Sequence, residues 1–274
     1  MNAQSSAARA AASEPILLRE MIGPIAIVTL NRPAARNSLS EALIAALSET
    51  FTALAADTAV RAVVLAANGP AFCAGHDLKE LTSRRCRCGG RAYFAHIMSS
   101  CSAMMQQIVR LPQPVIACVQ GVATAAGCQL VASCDLAVAS NAAKFATPGV
   151  DIGLFCSTPM VTLSRNVARK HAMEMLLTGE LLSAEDAARM GLINHAVSPG
   201  TERDEAIRLA RKIASKSSHV QKIGKEAFYR QLELPLADAY RYASQVMTEN
   251  MMARDAEEGI CAFIEKRSPK WEDR

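Results

Sequence analysis

The first half of the chain alternates two kinds of apolar patterning, and this alternation restricts the fold more than any other feature. From about residue 16 to 140, short β-rich runs are separated by longer helical patterns. "IAIVTL" precedes a helix opening at Ser40, in which Leu43, Ile44, Leu47, Phe51 and Leu54 share one face, and "RAVVLAA" follows. A second helical pattern carries Ile97, Met104, Ile108 and Leu111, and leads into "PVIACV", a short helix and "DLAVA". Parallel neighbours cannot be joined by a tight turn, so strand, helix and strand in this order require crossover connections. The fold class is therefore α/β, with a mostly parallel sheet.

From residue 158 onward the strand signals nearly vanish. "SAEDAARMG" has the form of a short helix, with Ser183 as N-cap, Glu185 and Asp186 in the first turn and Gly191 after the end. Leu236, Tyr240, Ala243, Met247 and Met251 recur at spacings of three and four, and Ile260, Phe263 and Ile264 do so more briefly. Such stripes suit packing on the chain's own core and suit a subunit interface, and the pattern leaves both open. The organisation expected is a disordered tail over 1–15, a core over 16–200 and a helical region over 201–274.

Composition removes several function classes. At 274 residues, half hydrophobic and a fifth charged, the chain has the balance of a globular protein with one substantial core. A net charge of +4, 4% aromatic residues and no long basic tract argue against a nucleic-acid surface. No stretch approaches the ~20 apolar residues of a membrane span, so no membrane partner is expected. The opening "MNAQSSAARAAAS" lacks the apolar run of a secretory signal, and a single Arg9 is too little to argue a transit peptide. Nine cysteines, an odd number spread through apolar contexts, read as reduced thiols in a reducing compartment: cytoplasm, or mitochondrial matrix in a eukaryote. Cys86 and Cys88 lie near His96, but no second pair stands at zinc-site spacing, so no metal site is expected.

Two segments share a design in which a strand ends, a turn of small residues follows and a helix begins: "AFCAGHDLKEL" at 71–81 and "GVATAAGCQLVASCD" at 121–135. A helix N-terminus leaves backbone N–H groups without intrahelical partners, and small side chains let a ligand oxygen reach them. Two such turns facing one another make a two-donor oxyanion hole, although either alone is equally explained by close packing of a helix on a sheet.

Taken in order, "AFCAGHDLKEL", "PVIACVQGVATAAGCQLVASCDLAVAS" and "FATPGVDIGLFCSTP" resemble the crotonase superfamily of enoyl-CoA hydratases and isomerases. The resemblance begins near residue 16 and takes in "LNRPAARNSLS" and "EGICAFIEKR". It implies a spiral of ββα turns forming two roughly perpendicular sheets, then a C-terminal helical region that builds trimers, often paired into hexamers. It implies an acyl-CoA thioester as ligand, with CoA as part of the substrate and no separate cofactor. The implied oxyanion donors are the backbone N–H groups of Ala74 and Ala126. The implied CoA contacts are Ala34, Ala35 and Arg36, then Ala74, His76, Asp77 and Leu78, with Phe263 and Lys266 supplied by a neighbouring subunit. Arg36 and Lys266 suit phosphate binding, though as solvated surface charges they need no ligand.

The same resemblance exposes two departures. Hydratases place one Glu where Gln129 stands and another at Gly149, and hydration uses both carboxylates to manage a water. An amide is no base near neutral pH, and glycine offers no side chain. Asp151 and His76 are the remaining candidates; a capping or packing role suits Asp151, and a loop histidine turned toward solvent or the CoA moiety suits His76. Ser157 leaves no acid at the position some isomerases use, and Cys128 and Cys156 have no visible activating base. "SRRCRCGGR" at 83–91, with Arg84, Arg85, Arg87 and Arg91, reads as a basic flap or a solvated loop. Two functions follow: an acyl-CoA enzyme using the oxyanion hole for chemistry with little acid/base help, or a non-catalytic acyl-CoA-binding regulator.

Overall fold

A computed structural model describes residues 14–85 and 89–274. Most of the proposed N-terminal tail, together with Cys86, Arg87 and Cys88, lies outside the described residues.

The chain opens with an antiparallel hairpin, β1 (Leu17–Ile22) and β2 (Ile25–Leu30). Helix α1 (Glu41–Ala56) follows, capped by Ser40, whose hydroxyl accepts from the Leu43 N–H; it buries the five residues that the spacing predicts. Then one unit repeats. β3 (Ala62–Ala67) and β4 (Ala71–Cys73) lead into α2 (Leu78–Arg85) and α3 (Gly90–Arg110). β5 (Val115–Val119) and β6 (Val122–Thr124) lead into α4 (Ala126–Ser133), and β7 (Leu136–Ser140) and β8 (Lys144–Ala146) into a 3-10 turn, Pro148–Ile152. The first strand of each unit joins a large sheet and the second a small one.

After α5 (Pro159–Asn166) and α6 (Arg169–Thr178) come β9 (Leu182–Ser183), α7 (Ala184–Arg189) and β10 (His195–Val197). Four helices finish the chain: α8 (Glu202–Ala214), α9 (Ser218–Gln231), α10 (Leu236–Met251) and α11 (Arg254–Ile264). The large sheet has the order β1-β2-β3-β5-β7-β10, parallel apart from β1, and the small sheet β4-β6-β8-β9. β9 and β10 are strands in a region whose sequence reads as helical. They are two and three residues long, too short for a period to register.

Both faces of the large sheet are covered, which is why its strands read as unbroken apolar runs. On β2, Ala26, Val28 and Leu30 face the core shared with α1, α3 and the small sheet, while Ile25 and Ile27 face α8. β3 and β5 alternate in the same way, with Val64, Ile116 and Cys118 against Ala206, Ile207, Ala210 and Ala214 of α8. Helix α8, beyond the expected boundary at residue 200, is thus part of the sheet's packing.

Beyond it, α9 is fastened to the core by a partly buried cluster. Lys225 Nζ donates to Asp135 Oδ2 at 2.7 Å and to the carbonyls of Ile108 and Gln113, and Tyr229 donates to Asp135 Oδ1 at 2.9 Å. Helix α10 leaves Leu236, Tyr240, Met247 and Met251 more than half exposed, so this stripe is not spent on the chain's own core.

Candidate active site

β4 and β6 are parallel neighbours, with Ala71 opposite Val122 and Cys73 opposite Ala123. The turns that leave them therefore emerge at the same sheet edge. Two glycines press them together. A Cβ on Gly127 would stand 2.0 Å from the Cys73 carbonyl oxygen, so α4 begins directly against the end of β4. A Cβ on Gly75 would stand 3.0 Å from the Ala125 methyl, 3.1 Å from the Thr124 oxygen and 3.4 Å from the Ala126 nitrogen.

The two donors implied by the resemblance differ in state. Ala126 is the first residue of α4, so its N–H has no intrahelical acceptor, and it finds none elsewhere among the described residues. The Ala74 N–H donates to the Arg36 carbonyl at 3.1 Å. Arg36 belongs to a tightly held shelf. Arg36 and Asn37 have φ of 51° and 52°, and the fully buried Asn37 amide donates to the carbonyls of Asn68 and Ala71, both at 2.8 Å. Its Oδ1 accepts from the Arg32 N–H.

Asp77 serves this shelf: its Oδ2 accepts from Arg32 at 3.1 Å and from Ser38, and its Oδ1 accepts from the Glu80 N–H at the start of α2. Burial alone would raise its carboxyl, but the Arg32 hydrogen bond and charge outweigh it and hold the group below the usual carboxylate range. Ala34, exposed Arg36, Ala74, His76, Asp77 and exposed Leu78 lie along one rim, tied by the Leu39–His76 bridge and by the Leu39 N–H donating to the Gly75 carbonyl at 2.7 Å. Phe263, 85% exposed, and Lys266, also exposed, stand at the end of α11.

Gln129 follows Ala126 by three residues on α4, so both face the same side of that helix. It is 4% exposed, and its Oε1 has no partner among the described residues. Gly149 has no room for a side chain: a Cβ would meet the Leu154 carbonyl oxygen at 2.8 Å and Cys156 Sγ at 2.9 Å. Asp151 is exposed, its carboxylate oxygens 3.2 and 3.3 Å from where a Cβ of Gly179 would sit.

Of the two orientations expected for His76, toward solvent or toward the CoA moiety, the first does not describe it. Both ring nitrogens are buried without a partner among the described residues, and burial lowers its pKa, so the ring is neutral at pH 7. Burial pushes the Cys128 thiol up to about 12 and Cys156 upward too, which leaves both unreactive. Arg84 and Arg85 end α2 and Arg91 lies in α3, so these members of the expected basic loop are helical. Arg84 sits 5.3 Å from the Tyr93 ring centroid. The conformation of Ala125 is not legible in the sequence, because an alanine does not announce a positive φ.

A spiral of strand pairs feeding two sheets, with two small-residue turns meeting at one edge, is the crotonase architecture. The match to the enoyl-CoA hydratase/isomerase family runs over residues 20–274, and the chain belongs to that family. It is similar to enoyl-CoA hydratase domain-containing protein 3, mitochondrial, of Homo sapiens: 48% identical over 257 residues, covering 94% of this chain and 83% of that protein. The crystal structure of the human domain-containing protein 3 superposes with a TM-score of 0.90 at 47% identity, covering 94% of this chain and 100% of the other. An enoyl-CoA hydratase crystal structure from Mycobacterium smegmatis does so with a TM-score of 0.90 at 53% identity, covering 94% and 99%.

Proposed function

We propose that this chain binds acyl-CoA thioesters and polarises their carbonyl at the paired turns, without classical enoyl-CoA hydration. The observation that carries the reading is the Ala126 N–H, without an acceptor among the described residues, beside the buried amide of Gln129. The thioester oxygen accepts from Ala126, and Ala74 supplies a second donor once its bond to Arg36 is shared or displaced. One preorganised donor of this kind is worth about 3–4 kcal/mol to an enolate or related oxyanion.

Hydration fails on the proton side. Gln129 can orient a water but cannot deprotonate it, Gly149 offers nothing, and Asp151 is directed to Gly179. His76, its ring nitrogens buried on the rim and its pKa lowered by desolvation, is the histidine nearest the paired turns in sequence. Arg36, whose own carbonyl accepts from the Ala74 N–H, is exposed and suits the CoA phosphates. Exposed Phe263 and Lys266 suit a nucleotide held against a second copy, and the stripe on α10 supports a homotrimer or a dimer of trimers.

Calorimetric titration with a short and a long acyl-CoA tests the reading. Saturable binding of either supports it, and failure of both at millimolar concentration overturns it. Binding without turnover of any acyl-CoA class would favour the non-catalytic regulator.

A further inference from the structure

The turn that presents the Ala126 N–H is held by a residue in an unfavourable conformation. Ala125, between β6 and α4, has φ 50° and ψ −118°. Ordinary N-cap residues are extended, as Ser40 (φ −79°, ψ 164°) and Ser183 (φ −70°, ψ 161°) are in this chain. The Ala125 pair lies even outside the left-handed helical region occupied by Arg36, with φ 51° and ψ 36°. It belongs to a part of backbone space that suits glycine, and a residue with a side chain stays there only when its surroundings over-determine it.

The surroundings do so here. The Ala125 N–H donates to the Ala146 carbonyl at 2.9 Å, which ties the turn to β8. The Ala125 carbonyl accepts from the Gln129 N–H at 3.0 Å, which commits the next peptide group to the axis of α4. Because that peptide is trans, its other end, the Ala126 N–H, points out of the helix on the side of Gly75. Gly127 against the Cys73 oxygen prevents α4 from sliding back to relax the turn.

A strand, one strained residue of positive φ and then a helix whose first N–H meets a reacting carbonyl is also the geometry of the nucleophile elbow of hydrolases. In this chain the strained position carries a methyl group, so the turn supplies the donor and no nucleophile. We infer that Ala125 is a positioning residue whose strained backbone preorganises the Ala126 N–H for a thioester oxygen. The inference rests on the acyl-CoA reading above and assigns to the backbone, not the side chain, of residue 125 the work of aiming the donor.

The test is vibrational. Bound acyl-CoA carrying a 13C-labelled thioester carbonyl should show a stretch shifted to lower frequency than the free ligand in the wild-type protein. Ala125→Gly should keep the full shift, since glycine adopts the same backbone without strain. Its melting temperature should be no lower than wild type, whereas Ala123→Gly, at a fully buried position of β6, should lower it. Ala125→Val, whose branched side chain is excluded from this conformation, should lose the shift while still binding free CoA. A full shift in the valine variant, or its loss in the glycine variant, overturns the assignment of Ala125 alone. Absence of any shift in bound wild type overturns the acyl-CoA reading together with it. If the valine variant does not fold, the melting comparison decides: a loss at Ala125→Gly as large as at Ala123→Gly refutes the strain.

Discussion

Gly149→Ala is a small substitution whose sign separates two explanations of a glycine where the resemblance to hydratases implies a glutamate. If the position merely lost its side chain, the space should still be there. Its φ lies outside the left-handed range, so alanine should then stabilise the fold by about 0.4–1 kcal/mol through the unfolded chain. The structure says otherwise. A Cβ would lie 2.8 Å from the Leu154 carbonyl oxygen and 3.3 Å from the Cys156 nitrogen, both backbone atoms, with Cys156 Sγ at 2.9 Å. That backbone is fixed by the Leu154 N–H donating to the Gly149 carbonyl at 2.9 Å. Overpacking of this kind costs about 1–3 kcal/mol, which outweighs the entropic gain and leaves a net loss of about 0.5–2 kcal/mol. Urea unfolding followed by circular dichroism reads the difference as a lower midpoint at unchanged slope. An equal or higher midpoint would refute the claim that the 148–156 segment has closed over the space a side chain at 149 would need. The corollary is that Gly149→Glu alone restores no hydratase activity.

Three further outcomes are expected. Lys225→Met, which leaves Asp135 buried without its cation, should cost about 3–5 kcal/mol in the same unfolding assay and release α9 to early hydrogen exchange. His76 has its folded pKa lowered by burial, so the unfolded chain takes up a proton that the folded chain refuses; stability should fall as pH drops below the ordinary histidine value of about 6.5, and His76→Gln should flatten that slope in pH-dependent denaturation. Among the described cysteines, exposed Cys261 should be alkylated first in the native protein, while Cys73, Cys101, Cys118 and Cys128, each pushed up to about 12 by burial, should react on unfolding.

The features legible in the sequence are those that local physics imposes. Ser40 and the face of α1 follow from a cap and a 3.6-residue period, and Ser183 does the same for α7. The two small-residue turns were legible as a pair because strand, small residues and helix recur in the same order. What the sequence hides depends on atoms distant in the chain. Asp135 meets Lys225 across ninety residues, with no periodic signal to link them. Ala125 looks like any alanine, and only the convergence of β6, β8 and α4 forces its backbone to positive φ. Nothing in "RPAARN" announces that the Arg36 carbonyl takes the Ala74 N–H, because that bond depends on how the buried Asn37 amide folds the shelf. The stripe on α10 was visible as a pattern, and the described residues leave it exposed, which favours the second of its two explanations, a subunit interface.

On the function proposed above, this site keeps the electrostatic part of crotonase chemistry without the proton-transfer part. The most direct test is the ultraviolet absorbance of an α,β-unsaturated acyl-CoA mixed with the protein at a concentration where calorimetry shows the site filled. The enoyl absorbance should persist while the ligand is bound. Steady loss of that absorbance with turnover, abolished by His76→Ala or Asp151→Asn, would contradict it.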